Sequence, residues 1–159
     1  MDKQTQRTMF SSATDNWATP QHFFDALERM YGKFDLDPCA SADNAKCQRY
    51  FTKDDNGLAQ HWSGNVFCNP PYGRVIGDWV EKSYRMATGA TTVVMLIPAR
   101  TDTKYWHDYV MNAKQILFVK GRLRFGDGKG SAPFPSAVVV FGDHEGTPSV
   151  GTISNKPDM

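Results

Sequence analysis

The chain has 159 residues, of which 40% are hydrophobic and 22% are charged. That suits one globular domain with an ordinary core and excludes wholesale disorder and low-complexity fibres. The formal net charge is only +1, so bulk charge does not by itself point to nucleic acid.

Residues 1–15 are polar and unpatterned. They read as a flexible arm without the apolar stretch of a secretory signal. The first helix is expected after Thr19-Pro20, a hydroxyl cap followed by a proline whose missing N–H costs nothing at the first helical position. Phe23, Phe24, Leu27, Met30 and Tyr31 recur at helical spacing, and Gly32 ends the run. Phe34 to Leu36 is a weak strand and Val66 to Cys68 a stronger one. A second helix is predicted from Ile76 to Ala87, with Ile76, Trp79, Val80 and Ala87 on one face. A strand over Thr92 to Ile97, a helix over Thr103 to Ala113 and a strand over Ile116 to Val119 follow. Gly121 to Gly126 alternates, which as a strand puts Arg122 and Arg124 on one face. Ala137 to Phe141 is the last predicted strand, and residues 144–159 read as a tail.

The expected division is an arm (1–15), one catalytic domain (16–143) and a C-terminal tail (144–159). Strands that are apolar throughout need cover on both faces. Strand alternating with helix therefore predicts an α/β fold with a mostly parallel sheet and helices on both sides. No apolar run approaches the ~18 to 20 residues that cross a bilayer, so no membrane partner is expected. Cys39, Cys47 and Cys68 form no Cys-x-x-Cys pair. A reducing cytoplasm is the expected compartment, with the cysteines as small buried hydrophobes. A zinc site with His61 as fourth ligand matches no standard spacing.

Ligands of such sheets sit beyond the carboxyl ends of the strands. There the chain has Asp37-Pro38-Cys39-Ala40-Ser41, Asn69-Pro70-Pro71-Tyr72-Gly73 and Pro98-Ala99-Arg100. Two prolines in series remove two backbone donors and fix φ twice, and the residue before a proline is pushed out of the helical region. The result is a stiff turn that aims the Asn69 side-chain oxygen and the following carbonyls at one point. Converging acceptors suit an NH₂ group, and Tyr72 adds an aromatic ring. Together they describe a pocket for a nucleobase swung out of its stack.

Asn-Pro-Pro-Tyr after a hydrophobic strand resembles the signature of S-adenosylmethionine-dependent amino-methyltransferases. With Trp17 to Pro20, Phe34 to Ser41, Trp62 to Gly73, Leu96 to Thr101 and Gly121 to Ser136 in this order, the chain resembles the phage-type DNA adenine methyltransferases, the phage Dam family. The resemblance runs from Trp17 to about Phe141. It implies a Rossmann-like class I sheet of seven strands and methyl transfer from S-adenosylmethionine to adenine N6 in double-stranded DNA, with adenine in GATC as the site. The setting it implies is the cytoplasm of a bacterial host, and a monomer is slightly favoured.

Carried over by residue, the resemblance makes Asn69 and the Pro70 carbonyl acceptors for the amino group, with Tyr72 stacked on the flipped adenine. Thr19-Pro20, with Trp17 beside it, resembles the segment that closes over the methionine end of the cofactor. Asp37, Pro38 and Ala40 stand where the family has a glycine-rich loop. This chain departs from the pattern, because no glycine occurs between Phe34 and Asp55. Asp54 or Asp55 is the expected acid for the cofactor's ribose hydroxyls or adenine amine. The distance from Asp37 to Asn69 is short for two strands, so one is expected to be abbreviated.

The charge is not even along the chain. Lys114, Lys120, Arg122, Arg124 and Lys129 face a single Asp127 in one segment. Arg122, Arg124 and Lys129 suit phosphate contacts, and Phe125 or Phe134 is expected as the second aromatic wall of the base pocket. Two alternatives stand beside this reading. One is methylation of RNA or of a protein glutamine, and the other is a non-catalytic DNA-binding relic.

Overall fold

The computed structural model describes residues 18–126 and 131–157. The arm at 1–15, Trp17 and Lys129 lie outside the described residues. Seven strands form one sheet: β1 (Leu36–Asp37), β2 (Arg49–Tyr50), β3 (Asn65–Cys68), β4 (Thr92–Pro98), β5 (Gln115–Lys120), β6 (Ser136–Phe141) and β7 (Ser149–Ser154). Their order is β2-β1-β3-β4-β6-β5-β7. Every pairing is parallel except those of β6, which runs antiparallel to β4 and β5. The helices are α1 (Gln21–Tyr31), α2 (Ile76–Met86) and α3 (Lys104–Asp108). This is the expected α/β architecture with a mostly parallel sheet.

The continuous apolar runs became the central strands for the reason given above. β6 is buried at every position and β4 from Val93 to Pro98, so both faces of the sheet are covered. Phe23, Phe24 and Leu27 of α1 are buried. Phe24 meets Phe34 and Phe67 with ring centroids 5.5 and 5.1 Å apart. Asn65 at the start of β3 reaches back to donate to the carbonyls of Tyr31, Gly32 and Lys33, which closes the C-terminus of α1. Trp62 is fully buried and stacks on Trp79 of α2 at 6.1 Å, and its indole N–H donates to the Gly57 carbonyl.

Four local expectations are corrected. Thr19 does not cap α1: Pro20 holds the cap position, no side chain caps there, and the Pro20 carbonyl takes the N–H groups of Phe23 and Phe24. The helix expected over Thr103 to Ala113 is α3 followed by a 3₁₀ turn at Val110–Asn112, because the Asn112 side chain takes the Asp108 carbonyl and ends the α-helical ladder. Gly121 to Gly126 forms no strand. Its burial still alternates, with Leu123 and Phe125 inside and Arg122 and Arg124 exposed. The segment read as a tail contains β7, paired with β5 in parallel over six residue pairs. In β7 only Ile153 is buried, as befits an edge strand, and so it carries no apolar run to read.

Two strands, β2 and β3, lie between Asp37 and Asn69, and β2 is only two residues long, the abbreviation that the short spacing predicts. β7 lies at the opposite edge of the sheet.

Candidate active site

β1, β3, β4 and β5 all end at one edge of the sheet, and antiparallel β6 begins there. The pairing of Pro98 with Ser136 and the Ala99 N–H bond to the Pro135 carbonyl fix this alignment. The Asp37 loop, the Asn69 turn, Arg100, the 121–126 segment and Phe134 therefore gather at the same edge, although they are far apart in sequence.

The turn after β3 is anchored on two sides. The Asn69 side-chain Nδ2 donates to Thr19 Oγ1 at 2.8 Å, and the Cys39 thiol donates to the Asn69 main-chain carbonyl at 3.0 Å. Cys39 Sγ lies 3.6 Å from Cys68 Sγ. Burial and the neighbouring Cys68 sulfur push the Cys39 thiol well above its ordinary range, so it keeps the proton it donates. The Asn69 carbonyl is engaged by this thiol, while Asn69 Oδ1 is buried beside it.

Tyr72 is buried, and its hydroxyl donates to the Leu96 carbonyl at 3.2 Å. Burial raises its pKa well above the ordinary value, so it stays a neutral phenol. Phe134 and Phe125 both pack edge-to-face with it, at 5.4 and 6.2 Å between centroids. Both phenylalanines thus reach Tyr72, where one was expected. They also cover it, so the tyrosine ring is not an open platform in this state.

At the end of β1, Asp37 is 5% exposed. Its carboxylate accepts from the backbone N–H of Lys46 at 3.1 Å and of Cys39 at 3.4 Å. Burial outweighs these bonds and raises its pKa to about 6. Asp37 thus organises the 38–46 loop, and the Ala40 N–H and Asp37 carbonyl pair with Phe51 to tie that loop to the 51–55 turn. Pro38 is buried, and its carbonyl packs against Gly57, where an added Cβ would lie 2.1 Å from it. The glycine missing from the loop itself is therefore supplied from outside it, at a point of close backbone approach.

Asp55 and Asp54 separate clearly. The Asp55 carboxylate accepts from the Thr52 N–H and hydroxyl, closing its own turn. Asp54 is exposed and holds no partner among the described residues.

Thr19, Asp37, Cys39, Lys46, Phe67 and Asn69 line one small cleft between the ends of β1 and β3. A larger open groove of about 530 Å³ lies beside Tyr84 and Phe141 to His144, at the opposite end of the sheet and away from these residues. Arg122 and Arg124 stand exposed at the active edge, where an Arg122 guanidinium N–H donates to the Ala132 carbonyl at 3.3 Å. Exposed Arg74 and Arg100 end up at the same edge. Sequence reasoning gave them no role, although each directly follows a strand-end motif. It also read Cys39 as a plain hydrophobe and passed over Lys46.

The family described as DNA N-6-adenine-methyltransferase (Dam) matches residues 6–158 of the chain. The chain belongs to that family. Relatives within it include a DNA N-6-adenine-methyltransferase of Escherichia phage T1, 33% identical over 69% of this chain and 46% of its own length. Another is a DNA N-6-adenine-methyltransferase of Haemophilus phage HP1, 34% identical over 72% of this chain and 68% of its own length. The match thus spans less than half of the T1 protein. A solved Listeria monocytogenes chain described as a class I S-adenosylmethionine-dependent methyltransferase aligns at a TM-score of 0.49 and 11% identity, over 82% of this chain and 52% of that one. At that distance nothing of its activity transfers. Dam-family membership covers both the strand-end motifs and β7, which lies inside the matched range.

Proposed function

We propose that this chain methylates the N6 amino group of adenine in double-stranded DNA, with S-adenosylmethionine as donor and the target base flipped out of the duplex. The observation that carries the reading is the Asn69 turn, held by Thr19 and Cys39 at the strand ends, in a chain of the DNA N-6-adenine-methyltransferase family.

The cleft suits a cationic donor. S-adenosylmethionine carries a sulfonium and an ammonium, and a buried carboxylate with a raised pKa is stabilised by a nearby cation. Asp37, Pro38, Ala40 and Pro20 would hold the methionine end, with the Thr19 hydroxyl turned instead to Asn69, and Asp54 would take the ribose hydroxyls or adenine amine. When bound, the donor supplies a methyl group on sulfur that is already a good leaving group. Asn69 Oδ1 and the Pro70 carbonyl accept the two N–H bonds of the adenine amine and direct its lone pair. This is a positioning task that needs no strong base, since the methylated nitrogen loses a proton readily.

A flipped base reaches Tyr72 by displacing Phe125 or Phe134, which then serve as the second wall. Arg122 and Arg124, joined by Arg74, Arg100 and Lys129, contact phosphates. The phage relatives support action in the cytoplasm of a bacterial host.

The test is incubation with methyl-labelled S-adenosylmethionine and separate plasmid DNA, RNA and protein acceptors. Label recovered as N6-methyladenine from DNA supports the reading. Label in RNA or protein overturns the substrate, and label in none overturns catalysis.

A further inference from the structure

We propose that Thr19 is a positioning residue for Asn69. By accepting the Asn69 Nδ2–H, its hydroxyl decides which end of the side-chain amide meets the target amine. The proposal rests on the reading of Asn69 as the amine acceptor.

The two ends of an asparagine amide are almost identical in shape and opposite in chemistry. One is a pure acceptor and the other a pure donor. An incoming NH₂ group is held only if the oxygen faces it. Turned by 180°, the same side chain would oppose N–H with N–H and leave buried donors unpaired, which is the costly arrangement. The stiff Pro-Pro turn fixes the backbone, but it does not fix the rotation of the Asn69 amide about its last bond, which is broad and roughly two-fold. Something else must hold it.

Thr19 is placed to do so. Its hydroxyl is not engaged in the usual work of a residue before a helix, because Pro20 holds the cap position and no side chain caps α1. Thr19 is 5% exposed. It lies 2.8 Å from Asn69 Nδ2, across 50 residues of sequence. The opposite side of the turn is held by the Cys39 thiol on the Asn69 carbonyl. Main chain and side chain of Asn69 are thus held by different residues, the carbonyl by Cys39 and the amide Nδ2 by Thr19.

The experiment compares Thr19→Val, Thr19→Ser and the unaltered chain in three measurements. These are the single-turnover methylation rate of duplex DNA at saturating S-adenosylmethionine, the calorimetric Kd for that donor, and hydrogen exchange of the Asn69 side-chain NH₂ by NMR, assigned by its disappearance in Asn69→Asp. The expected result for Thr19→Val is a rate loss of about 10- to 100-fold, a donor Kd within about threefold, and faster NH₂ exchange. Thr19→Ser, which keeps the hydroxyl, should restore rate and slow exchange together. A raised Kd with an intact saturated rate would make Thr19 a donor contact and overturn the proposal. So would a Thr19→Ser variant as slow as Thr19→Val, the sign of a packing role for the methyl group. Fast exchange of the Asn69 NH₂ in the unaltered chain overturns it too. If the unaltered chain methylates no DNA yet shows slow NH₂ exchange that Thr19→Val abolishes, the functional reading fails while the Thr19 bond stands.

Discussion

Asn69 and Asp37 each carry a prediction that belongs to a single side chain. Asn69→Ala removes one of two acceptors for the amine but leaves Asp37 and its loop in place. Methyl transfer should fall to the limit of detection while S-adenosylmethionine still binds within a few-fold, read by labelled transfer and calorimetry. Asp37 predicts a pH dependence. Its folded pKa is about 6 against an ordinary 3.8, so burial favours the protonated form. The contribution of Asp37 to stability is therefore greatest below pH 4, falls as pH rises from about 4 to 6, and is flat above. Donor binding should run the other way, because a cation beside Asp37 favours the ionised form. Affinity should rise roughly tenfold between pH 5 and 7, the span over which a group of pKa near 6 empties of protons. Asp37→Asn should flatten that rise, and a calorimetric titration across this range checks it. The neighbouring Lys46 has its own pKa lowered by burial, an effect opposed by Asp37. The sequence showed which residue types stand at the strand ends. It did not show that Thr19 and Cys39 close on Asn69, because those contacts cross 50 and 30 residues of chain.

At the scale of elements, the contact of the Pro38 loop with Gly57 and the 121–126 segment each carry a prediction. Gly57→Ala puts a methyl group where the Pro38 carbonyl already lies. It should cost about 1–3 kcal/mol of stability and weaken donor binding at least tenfold, measured by denaturant unfolding and calorimetry. A stable variant with unchanged donor affinity would detach Pro38 from the cofactor. The 121–126 segment carries the second prediction. Arg122→Ala and Arg124→Ala should each weaken DNA binding and lower the slope of log K against log salt by about 0.9 per lost phosphate contact. An unchanged slope removes them from the interface. This segment was only half legible. Its alternation was correct, and Leu123 and Phe125 do turn inward, but extended burial does not require a ladder partner. The short α3 was over-read for a similar reason: its apolar spacing continues past Tyr109 while the backbone bonding changes from α-helical to 3₁₀ and the Asn112 side chain takes the Asp108 carbonyl.

For the whole molecule, β7 ties the far edge of the sheet to the site. Asn155, just after β7, donates through its side chain to the Arg122 carbonyl and through its backbone to Lys120, and it packs against Gly121, whose φ is +86°. The Asn155 carbonyl also lies 3.1 Å from His22 of α1. Removing residues 144–159 should therefore do more than shorten a tail. It should lower Tm by several degrees, since it unpairs all of β5 on one side, and it should also weaken DNA binding through the loosened Arg122 turn. Thermal unfolding and a DNA titration on the same truncated chain check both; loss of neither would return the segment to the status of a tail.

What the sequence determined by itself was the set of local preferences. Continuous apolar runs demanded a doubly covered sheet, strand alternating with helix demanded parallel order, and Pro-Pro demanded a rigid turn at Asn69. These follow from short-range sterics and burial, which neighbouring residues alone dictate. Only the tertiary structure decided that an exposed edge strand, β7, stands where a tail was read, that Phe125 and Phe134 both close on Tyr72, and that the Thr19 hydroxyl meets Asn69 rather than capping its own helix. Those outcomes depend on which groups meet across the strand ends. A hydroxyl or thiol has the same local character whether it caps a helix, fills a core or holds the amide of a strand-end asparagine.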